Sequence, residues 1–263
     1  MFGTEDTVRA AVSVTLFVLM AIWEFNAPRR SQSLGRGQRW PGNLSLAIAN
    51  VVLVRLIAPL TLLGAALAAR ANGWGLMNVL TLPAALVDVF TFVALDCVIY
   101  IQHVVFHRVR VLWRLHRVHH TDLEFDVTTG LRFHPGEAAI SWAVKVAAVF
   151  ALGAPPVVVV LFEIVLNASS MFNHGNVTLP TALDALLRKI VVTPDMHRVH
   201  HSKLESEMNS NFGFNFSWWD RLFATYRAQP ADGHDAMELG LDEFRTPADL
   251  GLARVLVQPW MRP

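Results

Sequence analysis

Ten of the chain's eleven histidines fall between His103 and His201, and most of them fall in packets. His103 and His107 stand four residues apart. His116, His119 and His120 form an HxxHH motif, which His197, His200 and His201 repeat. His134 and His174 lie between the packets. Residues three or four apart share one helix face, so each packet can aim its imidazoles at one point, and imidazole is the commonest metal ligand among side chains. Surface histidines scattered at random would not repeat one spacing. A structural zinc takes four ligands and a catalytic one three with a water, so ten imidazoles exceed the needs of one ion. Two metals with four or five ligands each match the number. Cys97, the single cysteine, allows no thiolate cluster. The Glu-x-x-His pairs of carboxylate-bridged di-iron bundles and the HExxH of zinc hydrolases do not occur. The expected centre is therefore dinuclear and nearly all imidazole. His234, outside the packets, reads as a solvated loop residue.

The elements that must position these residues are apolar. Hydrophobic residues make up 53% of the 263-residue chain and charged residues 16%, against the roughly 25% charged of soluble domains; mean hydropathy is +0.38. A net charge of +1 offers no basic footprint for nucleic acid. A first apolar run, 7–25, is near the ~20 residues that a bilayer requires. It is preceded by Glu5 and Asp6 and followed by Arg29, Arg30, Arg36 and Arg39, which places that following loop in the cytoplasm and the amino terminus outside. A second run, 44–69, is interrupted by Arg55 and Pro59. A third, 82–101, returns to the cytoplasm and delivers His103 and His107. Two shorter stretches, 137–152 and 157–171, are about 22 Å long at 1.5 Å per residue, either a thin hairpin or a pair that does not fully cross. Either form returns His174 to the side of the other histidines, and the chain from 177 onward reads as a cap. The expected fold is an all-α integral membrane protein with four to five membrane helices or half-helices and a cytoplasmic helical cap. Its expected divisions are N-terminal membrane helices 1–81, a catalytic region 82–227 and a tail 228–263.

Within the third run Asp96, Tyr100, His103 and His107 form one helical stripe. Ionisable groups in membrane helices tend to face the protein interior, so Asp96 and Tyr100 are expected to hold the second ring nitrogen of ligand histidines. Glu137 has two open readings, a partner of the metal site or a helix-start carboxylate. Arg108, Arg110, Arg114 and Arg117 suit lipid headgroups or an acidic electron-donor protein. Arg55, Asp88, Lys145 and Glu163 have no assigned role. Zinc has no redox chemistry, so an oxidative role for the site calls for a redox metal such as iron. A non-catalytic membrane metal-binding or transport protein is the alternative. A bis-histidine haem protein fits clustered HxxHH motifs poorly.

The ordered boxes carry a resemblance. HxxxH at His103–His107, HxxHH at His116–His120 and TPxxHRxHHS over 193–202 resemble the fatty acid hydroxylase / sterol desaturase superfamily. So do Asp96 and Tyr100 as a D-x-x-x-Y lead, Asn209, Asn211 and Gly213 as N-x-N-x-G, and the tail WDRLFAT, where Ala224 replaces the usual glycine. The similarity covers roughly 96–226. It implies an integral-membrane oxygenase with two non-haem iron ions, which zinc can replace on overexpression, and O2 as co-substrate. It further implies hydroxylation or desaturation of a fatty acyl, sterol, carotenoid or ether-lipid substrate. The box histidines would be the ligands, with His134 and His174 at less invariant positions. Electrons would come from a separate ferredoxin, cytochrome b5-like protein or reductase. The expected location is the inner membrane of a bacterium, with the site on its cytoplasmic face.

Overall fold

The computed structural model describes residues 4–57 and 60–262. Among them there are helices, turns and three isolated bridges, and no strand. In chain order the helices are α1 (Thr4–Asn26), α2 (Arg36–Ile57), α3 (Leu62–Asn72), α4 (Leu76–Val79), α5 (Ala84–Arg108), α6 (Arg110–His120), α7 (Pro135–Leu152) and α8 (Pro156–Asn173). Six short helices follow: α9 (Thr181–Leu187), α10 (Pro194–His200), α11 (Glu205–Met208), α12 (Trp218–Leu222), α13 (Gly233–Ala236) and α14 (Leu252–Val257). Among the described residues five stretches are long and apolar enough to cross a membrane: α1, the run from α2 to α4, α5, α7 and α8. This is the pattern of a multi-pass membrane protein.

The second run is broken between Ile57 and Leu62; Pro59 lies outside the described residues. Thr61 caps α3, its hydroxyl accepting from Gly64 N at 2.9 Å. The turn after α3 packs on the turn between α7 and α8. A Cβ on Gly75 (φ +92°) would lie 2.1 Å from Gly153 N, so glycine is required there. Prolines at their first turns help start α7 and α8. Each runs 18 residues, roughly 27 Å at 1.5 Å per residue, close to a ~30 Å hydrocarbon core. Leu62, Ala65, Leu95, Ile99, Val149 and Phe162 form the core that joins α3, α5, α7 and α8. Met20 and Met171 join α1 to α8. Val14, Leu56, Val89, Val157 and Leu161 point outward with more than half their surface exposed, as lipid-facing side chains do.

α2 begins eight residues before the apolar run expected at 44, because its foot is anchored to the loop that follows α6. Arg39 is fully buried and forks onto Asp122 (2.7 and 2.7 Å) and Asp126 (2.6 Å). Asn43 bonds Asp122 and Thr128, both at 3.0 Å. Burial opposes the charge on Asp122, yet the guanidiniums of Arg39 and Arg132 hold its carboxyl down to about 2. The loop that leaves the first HxxHH is thus tied to a membrane helix by charge-assisted bonds.

Two expectations are corrected here. Arg117 is 3% exposed and faces inward, against Phe244 and the carbonyls of Gln258 and Met261. It therefore clamps the C-terminal segment and is not at the protein surface. His234 is 6% exposed, 3.6 Å from Asp195, and burial pushes its imidazole down to about 4. It belongs to the cap interior and is not a solvated loop residue.

Candidate metal centre

Nine of the ten predicted histidines converge in two groups. His103 and His107 from α5, His116 and His120 from α6, and His200 from α10 form one. His119 from α6, His174 at the end of α8, and His197 and His201 from α10 and its C-cap form the other. In each group one ligand atom per residue lies within 4.8 Å of every other. Each HxxHH is divided between the groups by helix geometry. On α6 the i, i+4 pair His116/His120 serves the first and His119 the second. On α10 His197/His201 serve the second and His200 the first.

The donor tips face one another. Nε2 of His103 is 3.1 Å from that of His116 and 3.0 Å from that of His200. His174 Nε2 is 3.1 Å from those of His119 and His197. With metal–nitrogen bonds of about 2.1 Å, nitrogens so spaced subtend roughly 90°, the edge of a five- or six-coordinate shell. All nine rings are buried except the partly exposed His107. Burial first, and then the neighbouring imidazoles, hold His119, His120, His197 and His201 well below the ordinary histidine range. His174 and His200 are held down to about 3. The neutral ring, which is the ligand form, is the one this site favours. Both nitrogens of His107 and of His120, Nδ1 of His119 and His197, and Nε2 of His201 are buried with no hydrogen-bond partner. Buried polar atoms are ordinarily paired, and an orphaned nitrogen on each of His107, His120 and His201 fits a metal ion held by imidazole, whereas the orphaned Nδ1 of His119 and of His197 stands behind the Nε2 that faces the other donors.

Four rings are oriented from behind through Nδ1. His103 meets Phe212 O at 2.9 Å, His200 meets Ser210 O at 2.7 Å, His174 meets Ser170 O at 2.7 Å, and His116 meets a Glu137 oxygen at 2.6 Å. An acceptor on Nδ1–H leaves the Nε2 lone pair free to bind a metal ion. The carbonyls of Ser210 and Phe212 lie in the N-x-N-x-G loop, which Asp220 holds: its carboxylate accepts from Phe212 N (2.7 Å), Gly213 N (2.8 Å) and the Thr225 hydroxyl (2.7 Å). Burial pushes Asp220 up to about 6 despite these donors. Gly130 lies where a Cβ would stand 2.6 Å from Ser170 O and 3.1 Å from His174 Nδ1. A side chain there would displace the ring.

Three expectations change. Asp96 accepts from the Trp219 indole at 2.8 Å and from Phe216 N at 3.3 Å, and Tyr100 bonds the Thr225 hydroxyl at 2.8 Å. Neither reaches a ring nitrogen; both fasten α5 to residues 216–225, which follow the loop carrying Ser210 and Phe212. His134 stands outside both groups. Its Nδ1 accepts from Gly136 N at 3.0 Å as the N-cap of α7, and its Nε2 donates to Leu256 O at 3.2 Å. Pro135 directly after it is the sequence mark of such a cap. Glu137, whose two readings the sequence left open, is the carboxylate that reaches a ring.

A cavity of about 580 Å³ opens from the first group into the membrane region, within the size range of ligand pockets. His103, His116, His119 and Glu137 line its inner end, and Phe106, Phe133, Leu131, Leu166 and Phe214 are among its apolar walls. Lys145 and Glu163 line it further along α7 and α8.

The fatty acid hydroxylase family model matches residues 89–225. The chain is 32% identical over 148 residues to the ornithine lipid hydroxylase OlsE of Rhizobium tropici, a match covering 56% of this chain and 44% of that protein. It is 28% identical over 143 residues to the alkylglycerol monooxygenase of Xenopus tropicalis (52% and 29%) and 26% identical over 145 residues to the human one (52% and 30%). These matches span less than half the length of each relative. No solved structure matches. The family match spans every box histidine, the Asp96–Tyr100 lead and the N-x-N-x-G loop, and the chain belongs to the fatty acid hydroxylase family, within the fatty acid hydroxylase / sterol desaturase superfamily that its histidine boxes resemble.

Proposed function

We propose that the protein is a membrane-bound lipid oxygenase that uses two non-haem iron ions, O2 and external electrons to hydroxylate or desaturate a C–H bond of a lipid. One observation carries this reading: nine converging histidines stand in two adjacent groups at the end of an apolar cavity. His103, His107, His116, His120 and His200 would hold one ion, and His119, His174, His197 and His201 the other. Bound iron supplies the redox chemistry that activates O2.

The chain's own residues perform the remaining work. Glu137 holds the Nδ1 proton of His116, and the carbonyls of Phe212, Ser210 and Ser170 hold those of His103, His200 and His174. Those four rings are thereby fixed in one tautomer. Phe106, Phe133 and Phe214 line the cavity, align a lipid tail beside His103 and His116, and keep water out. Such alignment is the main contribution a protein makes to a reaction carried by its cofactor. The names of the relatives, a lipid hydroxylase and an alkylglycerol monooxygenase, support a lipid substrate. Electrons come from a separate ferredoxin, cytochrome b5-like protein or reductase that meets the cap on the cytoplasmic face of the inner membrane.

The test is a comparison of lipid extracts from cells with and without the protein by mass spectrometry, with iron measured in the purified chain. Products shifted by +16 or −2 mass units that require O2 are expected. His119→Ala and His200→Ala should each abolish them while the protein remains in the membrane. Full turnover in either variant overturns the assignment.

A further inference from the structure

Among the described residues after α8 none forms a span, yet part of this stretch descends beside one. Phe212 meets the His103 ring (5.5 Å between ring centres), Phe216 meets Phe92 (6.0 Å), Trp219 bonds Asp96 (2.8 Å) and Phe223 stacks on Tyr100 (5.3 Å). His103, Tyr100, Asp96 and Phe92 are successive steps of one stripe of α5, about 16 Å from end to end at 1.5 Å per residue. The chain thus runs down α5 from the histidines to Phe92 and returns past Asp96 to Tyr100. Val89, the next position on that stripe, is more than half exposed, as lipid-facing side chains are. Phe92 also meets Phe162 (5.3 Å), eleven residues before the end of α8 at Asn173. Residues 212–223 therefore lie alongside the membrane helices and not wholly above them.

α9 and the turn after it lie against this dip, with Ser217 N donating to Ile190 O and Val192 N to Asn215 O, both at 3.0 Å. Together they present one apolar face. Leu183, Leu186 and Ile190 recur three and four residues apart, and Trp218, Leu222 and Phe223 continue them; all six are exposed. A face of this kind marks an interaction surface. The exposed charges within 181–190 and 217–224 are Lys189 and Arg221, both basic, whereas Asp184 is paired with Arg188 and Asp220 is buried. Exposed tryptophan beside leucine and basic side chains is the composition of a membrane–water boundary, where aromatic rings sit at headgroup level and cations meet anionic lipids. The backbone of the dip also meets the condition that lipid imposes, internal satisfaction of its polar groups. Phe216 N donates to Asp96 at 3.3 Å, Ser217 N to Ile190 O, and Phe223 N to Trp219 O at 2.9 Å. Continuity with Val89 and the lipid-facing side of α5 assigns the face to the bilayer.

We infer that α9 and residues 214–223 form an in-plane membrane element, embedded in the leaflet nearer the histidines. Lipid chains cover its six exposed apolar side chains, and headgroups meet Lys189 and Arg221. The element carries supports of the histidine groups. Asp220 holds the loop whose carbonyls meet His103 and His200, and Phe223 stacks on the tyrosine that bonds Thr225. The bilayer is thus a direct neighbour of the segment that orients those rings. The inference uses the membrane character of the chain and does not depend on the oxygenase reading.

The test is a depth measurement on the full-length protein, one copy per nanodisc of phosphatidylcholine. In a Cys97→Ser background, Leu186→Cys and Leu222→Cys are labelled with a nitrobenzoxadiazole fluorophore. Val89→Cys is the lipid-facing reference, and Asp242→Cys, whose side chain is 79% exposed, is the water-facing one. Iodide should quench the label at 186 and at 222 at least threefold less than at 242. Phosphatidylcholine with a nitroxide on acyl carbon 5 should quench both at least threefold more than at 242, as it does at 89. A difference below threefold with iodide places the face in water. A difference below threefold with the lipid nitroxide means that protein, such as a second copy, covers it. Either result overturns the element. The substitutions at 186 and 222 replace exposed side chains, and loss of the fold would show at the reference positions as well. Failure here leaves the oxygenase reading intact, because that reading is decided by O2-dependent product.

Discussion

On the proposed reading, Glu137 offers the most direct test of how the chain would tune a metal site. Among the described residues it is the one carboxylate bonded to a ring of the two histidine groups, at 2.6 Å from His116 Nδ1, and it is 5% exposed. A hydrogen bond to a charged group contributes roughly 1.5–3 kcal/mol net, and about 1.4 kcal/mol corresponds to a factor of ten. Its loss should therefore weaken the five-histidine group by about 10- to 100-fold, the range that partners of metal-bound histidines ordinarily contribute. Glu137→Gln keeps an acceptor and loses the charge, so it should fall near the tenfold end. Glu137→Ala leaves the Nδ1–H buried with no partner and should fall near the hundredfold end. The assay is metal per chain after equilibration with graded chelator, with circular dichroism to confirm helix content. Because His119, His174, His197 and His201 do not touch Glu137, half of the bound metal should keep its wild-type affinity. Wild-type affinity for both ions in both variants would refute the role given to this carboxylate, and so would equal weakening of both ions.

Three further outcomes follow from the geometry. His174→Ala removes a ligand from the four-histidine group alone and should bring metal content close to one ion per chain by elemental analysis; retention of two, or loss of both, would contradict the division into two groups. His174 and His200 titrate near 3 in the folded chain against about 6.5 unfolded, so on acidification the unfolded chain takes up protons first. Stability of the metal-free protein is thus fully present above about pH 6.5 and lost progressively as pH falls toward 3, and its thermal midpoint should be lower at pH 5.5 than at pH 7.5; an equal or higher midpoint at pH 5.5 would count against buried neutral rings. Ala224 sits at φ +58°, a left-handed conformation that costs an L-residue roughly 1–2 kcal/mol, partly offset by the greater unfolded-state entropy of glycine. Ala224→Gly should therefore raise stability by up to about 1 kcal/mol in denaturant melts, and a destabilised variant would show that the turn is not strained.

Part of the centre could be read from spacing, because i, i+4 relations are local and helix geometry converts them into convergence: 103/107, 116/120 and 197/201 each serve one group, whereas the i, i+3 pairs 116/119 and 197/200, expected to aim at one point, are divided between the two. What could not be read depends on contacts between distant segments. The stripe Asp96–Tyr100–His103–His107 is real, but a helix rises about 1.5 Å per residue, so Asp96 lies two turns from the rings and meets whatever packs there. That neighbour is Trp219, 123 positions later. The acceptors behind His103 and His200 are main-chain carbonyls, which no residue-type pattern reveals, although the N-x-N-x-G spacing marked the loop that carries them. His134 was misleading because its residue type suits both a ligand and a cap, and only tertiary packing sent its Nε2 to Leu256. The apolar runs identified the membrane helices, while the burial of Arg39, Arg117 and Arg132 was hidden because charge alone reads as surface.

The order in which these pieces emerge during synthesis has a consequence of its own. All nine histidines precede the Ser210 and Phe212 carbonyls that set two of the rings, and the Asp220 carboxylate that holds those carbonyls comes later still. Arg117, on the helix of the first HxxHH, is clamped by Gln258 and Met261. The membrane helices can therefore insert, and the imidazoles can be brought together, while the loop that orients them is still within the ribosome. Assembly has an inherent delay: a loosely defined set of imidazoles exists first, and an oriented one only after residues 210–261 arrive. On the proposed reading, an ion captured before then would meet unfixed rings, so any selectivity for one metal would be set late, once Ser210, Phe212 and Asp220 are in place.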